Sequence, residues 1–125
     1  MPEPEIKDFP IFELVAEGEY KFPIHEALPQ VSDNGKGCIN VRLDLRHEDK
    51  YLFMPLWGAG AWHWAPILRL LCKENRIKCP DVFKESGEVI DVLNKLRQRN
   101  VKLPVKVGIR EDNKILSNTT ALRRE

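Results

Sequence analysis

Strict alternation of apolar and polar residues constrains the fold of this chain more than any other feature. In the segment CINVRLDLR, residues 38–46, apolar side chains occupy every second position from Ile39 to Leu45, and polar side chains lie between them. This period of two is typical of a β-strand that buries one face. The segment VKLPVKVGI, residues 101–109, repeats the pattern, with Val105 and Val107 on the apolar face. The chain must therefore form a sheet and cover one of its faces.

Hydrophobic periodicity assigns the rest of the chain to three further strands and two helices. The predicted strands, in chain order, are residues 18–24, 38–46, 51–57, 101–109 and 114–122. Apolar residues at helical spacing predict one helix with Pro66 in its first turn and a second helix around residues 89–96. A hairpin loop is expected at residues 47–50. The predicted order is β-β-β-α-α-β-β.

This order predicts one domain, residues 1–125, that is mostly β with an α insert. Short strands with one apolar face hide that face if the sheet closes, as in oligonucleotide-binding-type barrels. We therefore expect a five-stranded antiparallel oligonucleotide-binding-type barrel with helices between strands three and four. The alternative is an open antiparallel sheet with both helices packed on one side. The expected interior residues are Ile39, Val41, Leu43, Leu45, Leu52, Met54, Leu56, Val105 and Val107.

Charge is divided unevenly along a chain whose formal net charge is only +1. Residues 1–35 contain two lysines and eight acidic residues, whereas residues 97–125 contain eight basic and three acidic residues. Such asymmetry indicates an anionic partner for the basic part, although a solvated face balanced by an acidic one explains it equally well. The acidic, proline-containing segment at residues 1–10 is expected to be flexible.

Motifs for catalysis, metal binding and membrane insertion are missing from the sequence. There is no P-loop, GxGxxG, GxSxG or HExxH motif. Cys38, Cys72 and Cys79 are unpatterned, which predicts reduced thiols and neither a disulfide framework nor a zinc site. No apolar run approaches the roughly 18 residues that span a bilayer. We expect a cytoplasmic, non-enzymatic protein with no metal, no cofactor and no membrane partner.

Aromatic residues concentrate in residues 51–64, which contain all three tryptophans. If Leu52, Met54 and Leu56 fill the interior, the other side chains of that strand point outward. With arginines on the neighbouring strand they form a basic and aromatic surface, the combination that stacks bases and follows phosphates of single strands. The candidate nucleic-acid-binding residues are Arg42, Arg46, Tyr51, Phe53, Lys102, Lys106 and Arg110.

The same aromatic residues also have structural interpretations. Phe53 is equally compatible with exposure and with burial beneath another segment. Gly58 and Gly60 allow a tight turn beside Trp57, which favours packing of that ring. Trp62 and Trp64 are expected on opposite sides of the chain, with one of them in the core.

Four segments together carry a resemblance to a known family: EGEYKFPI, CINVRLDL, AWHWAPILRLL and VKVGIREDNKILSN. In their pattern and order they resemble short bacteriophage proteins from replication regions, which have an oligonucleotide-binding fold and bind single-stranded DNA. The resemblance implies a sequence-independent role in phage replication or recombination, in the host cytoplasm. The alternative is a protein-binding module of the same fold, which inhibits or recruits a host or replication protein. A homo-oligomer is compatible with both functions.

Overall fold

A computed structural model describes residues 14–31, 35, 37–45 and 51–124. The predictions for residues 1–10, for Arg46 and for the hairpin loop at 47–50 lie outside these ranges. The described elements follow the predicted order. They are β1 (Gly18–Val31), β2 (Gly37–Asp44), β3 (Tyr51–Trp57), a 3-10 turn (Gly58–Gly60), α1 (Ala61–Glu74), α2 (Ser86–Gln98), β4 (Lys102–Asp112) and β5 (Ile115–Leu122).

The strands form one antiparallel sheet in the order β3-β2-β1-β4-β5. The first half of β1 pairs with β4, from Gly18 to Pro23. Its second half, from Ile24 to Val31, pairs with β2. The register shifts between Ile24 and Glu26, and such an irregularity bends a strand and increases its twist. Through this bend, β1 belongs to both halves of the sheet.

The predicted closed barrel is wrong, because strand pairing leaves the sheet open. Within the described ranges β3 and β5 are edge strands, and no ladder joins them. A single hydrogen bond links the two edges, from Thr120 Oγ1 to the Phe53 carbonyl oxygen at 2.8 Å. The pairing of β1 with β4 ends at Val107, whereas β4 and β5 stay paired out to Ile115. The turn end of the hairpin formed by β4 and β5 therefore extends past β1 instead of closing against β3.

One hydrophobic cluster contains inward side chains from all five strands and from both helices. The predicted interior residues are buried, except Leu45, which is half-buried. Trp64 and Leu68 from α1 and Leu93 and Leu96 from α2 complete this core. The side chain assignment for the central strands therefore follows the alternation in the sequence.

Helix α1 begins at Ala61, which makes the prediction of Pro66 in the first turn wrong. Pro66 lies inside the helix, where it has no N–H to donate to the carbonyl group of Trp62. The 3-10 turn at Gly58–Gly60 leads directly into α1 and so places both Trp62 and Trp64 within it. Trp64 is buried and Trp62 is exposed, as the expectation of one core tryptophan requires.

Candidate nucleic-acid interface

The outward side of β3 carries a row of cyclic side chains. Leu52, Met54 and Leu56 are buried beneath the sheet, and the alternation of a strand sends the residues between them to the other face. Outward positions on one strand are about 7 Å apart. We define the aromatic sheet face as this row with its neighbours on β2 and β1. The row consists of Tyr51, Phe53, Pro55 and Trp57.

Phe53 and Trp57 are the accessible rings of this face. Phe53 is 50% exposed and Trp57 is 40% exposed. The interpretation of Trp57 as a packed ring is wrong, because its position on β3 faces away from the core. Its backbone is bound by α1, because the Trp57 carbonyl accepts a hydrogen bond of 2.9 Å from Nε1 of the buried Trp64. Two aromatic surfaces are thus open to a ligand from the same side of the sheet.

Arg42 lies directly across from Phe53 in the ladder between β2 and β3. Its guanidinium carbon is 5.6 Å from the centre of the Phe53 ring, within the range of a cation–π contact. On its other side, Arg42 forms an ion pair with Glu26, its cross-strand neighbour on β1. The three side chains form a row across three strands, in which a carboxylate balances the charge of the arginine.

Tyr51 is half-buried and stacks on the His25 ring of β1, with 4.3 Å between ring centres and 29° between planes. The carbonyl oxygen of His25 accepts a hydrogen bond of 3.1 Å from Arg97 Nη1 on α2. Tyr51 is therefore held at one end of the aromatic sheet face, with less of its ring available than that of Phe53.

Two residues of this face, Leu28 and Asn40, are not among the candidate binding residues named from the sequence. Leu28 on β1 is opposite Asn40 on β2, which in turn is opposite Pro55. Leu28 is 42% exposed and extends the apolar surface onto a third strand. The Asn40 Nδ2 group donates to Gln30 Oε1 at 3.0 Å, while Asn40 Oδ1 is buried with no hydrogen-bond partner among the described residues. Only the register between β1 and β2 brings these residues together, and the sequence does not contain it.

The candidate cations of β4 lie elsewhere on the molecule. Lys102, Lys106 and Arg110 are exposed, but β2 and β1 lie between β4 and β3 in the sheet. Lys106 pairs in register with Glu19, and Arg110 Nη2 is 3.2 Å from Asp112 Oδ2. Within the part of the chain that is described, no ion pair or ring contact joins these three to Phe53. They form a separate basic strip.

The three cysteines are free thiols. Burial, together with the adjacent Cys79, raises the pKa of the Cys72 thiol to about 12. Burial also raises the pKa of the Cys38 thiol. Over the described ranges, no three histidine, cysteine or acidic side chains converge in a group that could hold a metal ion.

The aromatic sheet face is therefore suited to non-covalent binding through exposed rings and one partly neutralised arginine.

Neither helix in the described ranges is long and apolar enough to cross a membrane. Neither a scan against protein-family models nor a search of curated proteins returns a match to this chain.

Proposed function

We propose that this chain is a non-enzymatic protein that binds single-stranded DNA on the aromatic sheet face, without sequence preference. The observation that carries the proposal is the exposure of Phe53 and Trp57 on one face of β3, with Arg42 beside the Phe53 ring. A base that stacks on an aromatic side chain contributes about 1–3 kcal/mol whatever its identity. Two open rings therefore supply useful affinity with little preference for sequence.

The charge of this face predicts a weak dependence on salt. Each phosphate contact made to single-stranded DNA contributes a slope of about −0.7 to log K against log salt. Arg42 is the only cation of the described part of the face, and Glu26 must release it before it can hold a phosphate. Arg46 belongs to the proposal by its sequence position, and its side chain lies outside the described residues. We infer that Lys102, Lys106 and Arg110 serve a longer strand that continues around the molecule.

The finer fold assignment, an oligonucleotide-binding-type sheet, is part of the same proposal. Three features support it: β1 pairs with both β2 and β4, the helices lie between β3 and β4, and Thr120 links β5 to β3. In that fold, strands two and three provide the usual ligand surface. A role in phage replication or recombination, in the host cytoplasm, follows from the resemblance of the sequence and extends the proposal.

The ion pair of Arg42 with Glu26 favours a second candidate function, a protein-binding module. Because Arg42 is paired, the described residues of the aromatic sheet face include no free cation. The exposed side chains of Leu28, Phe53 and Trp57 dominate this face. Tryptophan, tyrosine and arginine are the residues that most often carry the binding energy of protein interfaces. Such a module would bind a host or replication protein through the same surface.

A titration with fluorescently labelled oligo(dT), read by anisotropy, tests the proposal. We expect saturable binding at about 50 mM salt, and a loss of affinity at about 200 mM that is several-fold rather than thousand-fold. Equal affinity for mixed-sequence single strands and weaker binding to a duplex are expected as well. If oligo(dT) does not bind at the lower salt concentration, the DNA proposal fails and the protein-binding module is left.

A further inference from the structure

A second exposed surface runs along α1, away from the aromatic sheet face. Trp62, Pro66, Leu70 and Lys73 follow one another at the three- and four-residue spacing of a single helical face. Trp62 is 80% exposed and Leu70 is 39% exposed, whereas Trp64, on another side of the helix, is in the core. We call this row, with Arg69, the α1 stripe. It combines an open indole ring, an apolar centre and cations.

The α1 stripe borders a cavity of about 660 Å³. Pro66, Leu70 and Ile77 provide its apolar lining, and Arg69, Lys73 and Arg124 add three cations. Arg69 has a weak ion pair at this site: its Nη2 is 3.5 Å from Asp81 Oδ1, and the Asp81 side chain is 98% exposed. A ligand that fits this site must carry both apolar groups and several negative charges.

Residues 1–13 of this chain have that chemistry. The segment MPEPEIKDFPIFE contains four acidic residues and one lysine, and its apolar residues include Ile6, Phe9, Ile11 and Phe12. We propose that this segment docks on the α1 stripe and its cavity within the same molecule, with phenylalanine side chains in the apolar part and carboxylates near Arg69, Lys73 and Arg124. The proposal concerns a site separate from the one assigned to DNA.

The described chain starts close enough for this segment to reach the stripe. The backbone of Val15 is fixed to β5, because its N–H and its carbonyl oxygen each bond to the Asn118 side chain, at 2.9 and 2.8 Å. Four residues further along β5, about 14 Å, the Leu122 carbonyl oxygen is 2.8 Å from Nε2 of His63 in the first turn of α1. The α1 stripe then extends about 17 Å from Trp62 to Lys73. Thirteen extended residues span about 43 Å, which exceeds the sum of these distances.

Fluorine NMR of the full chain labelled with 5-fluorotryptophan tests the docking. The three resonances are assigned with Trp→Phe variants, and the shift between H₂O and D₂O reports the solvent exposure of each ring. In the variant Phe9→Ala/Phe12→Ala, we expect the Trp62 resonance to move and its solvent shift to increase, while those of Trp57 and Trp64 stay unchanged. The charge-reversal variant Arg69→Glu/Lys73→Glu should move the Trp62 resonance in the same direction. Lys114→Glu is the matched control, because this exposed cation lies in the turn between β4 and β5.

Three results would overturn the docking proposal. An unchanged Trp62 resonance in both double variants would mean that the segment does not occupy the stripe. A change at Trp57 instead would mean that the segment covers the aromatic sheet face. A Trp62 resonance that moves on dilution would mean that a second copy supplies the segment. Oligo(dT) binding is measured separately on the same samples, so that failure of the docking proposal and failure of the DNA proposal are distinguishable.

Discussion

Replacement of Phe53 by alanine separates the binding role of this ring from a structural one. If bases stack on Phe53, the loss of the ring should weaken binding to single-stranded DNA by about 1–3 kcal/mol, which is roughly 5- to 150-fold in the dissociation constant. The salt slope should stay the same, because the substitution removes no phosphate contact.

The expected effect of the same substitution on folding is small. A fully buried phenylalanine costs about 3–5 kcal/mol when it is truncated to alanine. Phe53 is 50% exposed and its best-defined side-chain contact is with Arg42, a contact worth about 0.5–1 kcal/mol at an exposed site. We therefore expect the free energy of unfolding to fall by less than about 2 kcal/mol, about half the fully buried value.

Two measurements on the same protein samples decide between these roles: anisotropy titration with labelled oligo(dT), and urea unfolding followed by circular dichroism. The matched control is Trp62→Ala, which removes a larger and more exposed ring from α1, outside the aromatic sheet face. The control should bind oligo(dT) as the parent does. The stacking argument is refuted if Phe53→Ala binds normally, or if Trp62→Ala loses as much affinity as Phe53→Ala.

Three further predictions test the charge, the core and the thiols. Glu26→Gln should release Arg42, strengthen oligo(dT) binding and steepen the slope of log K against log salt by about 0.7. An unchanged slope in the anisotropy titration would argue against a phosphate contact at Arg42. Leu43→Ala should lower the free energy of unfolding by about 2–5 kcal/mol in urea, because the side chain is fully buried; a loss below about 1 kcal/mol would contradict the face assignment of β2. At pH 8, the Cys72 thiol should remain protonated because its pKa is raised to about 12. Mass spectrometry after iodoacetamide treatment should therefore find Cys79 modified before Cys72. Rapid modification of Cys72 in the folded chain would count against the burial of Cys72.

The sequence predicts the elements of this fold well because their signals are local. Alternation in residues 38–46 assigns Ile39, Val41 and Leu43 to the core, and these side chains are buried. The same reasoning assigns Leu52, Met54 and Leu56 to the inside of β3, which leaves Phe53 outward. One face of one strand can be inferred from a period of two, since neighbouring side chains point to opposite sides.

Features that depend on distant parts of the chain were not predictable in this way. Closure of a barrel requires β3 to meet β5 along a ladder, and no local pattern states how far β5 follows β4 past the end of β1. The partner of Arg42 is Glu26, sixteen positions earlier in the sequence, and only the register of β1 against β2 brings them together. The expected grouping of Lys106 with Phe53 likewise depended on a strand order that the sequence does not specify.

Pro55 gives the edge strand β3 a property that concerns solubility rather than ligand binding. An unpaired edge normally offers N–H and C=O groups to the strands of other molecules, which is a route to aggregation. Proline has no N–H, so a foreign strand laid along β3 lacks a donor at Pro55, midway between Phe53 and Trp57. The protein can thus display aromatic rings on an outer strand and still discourage its copies from joining there into larger sheets.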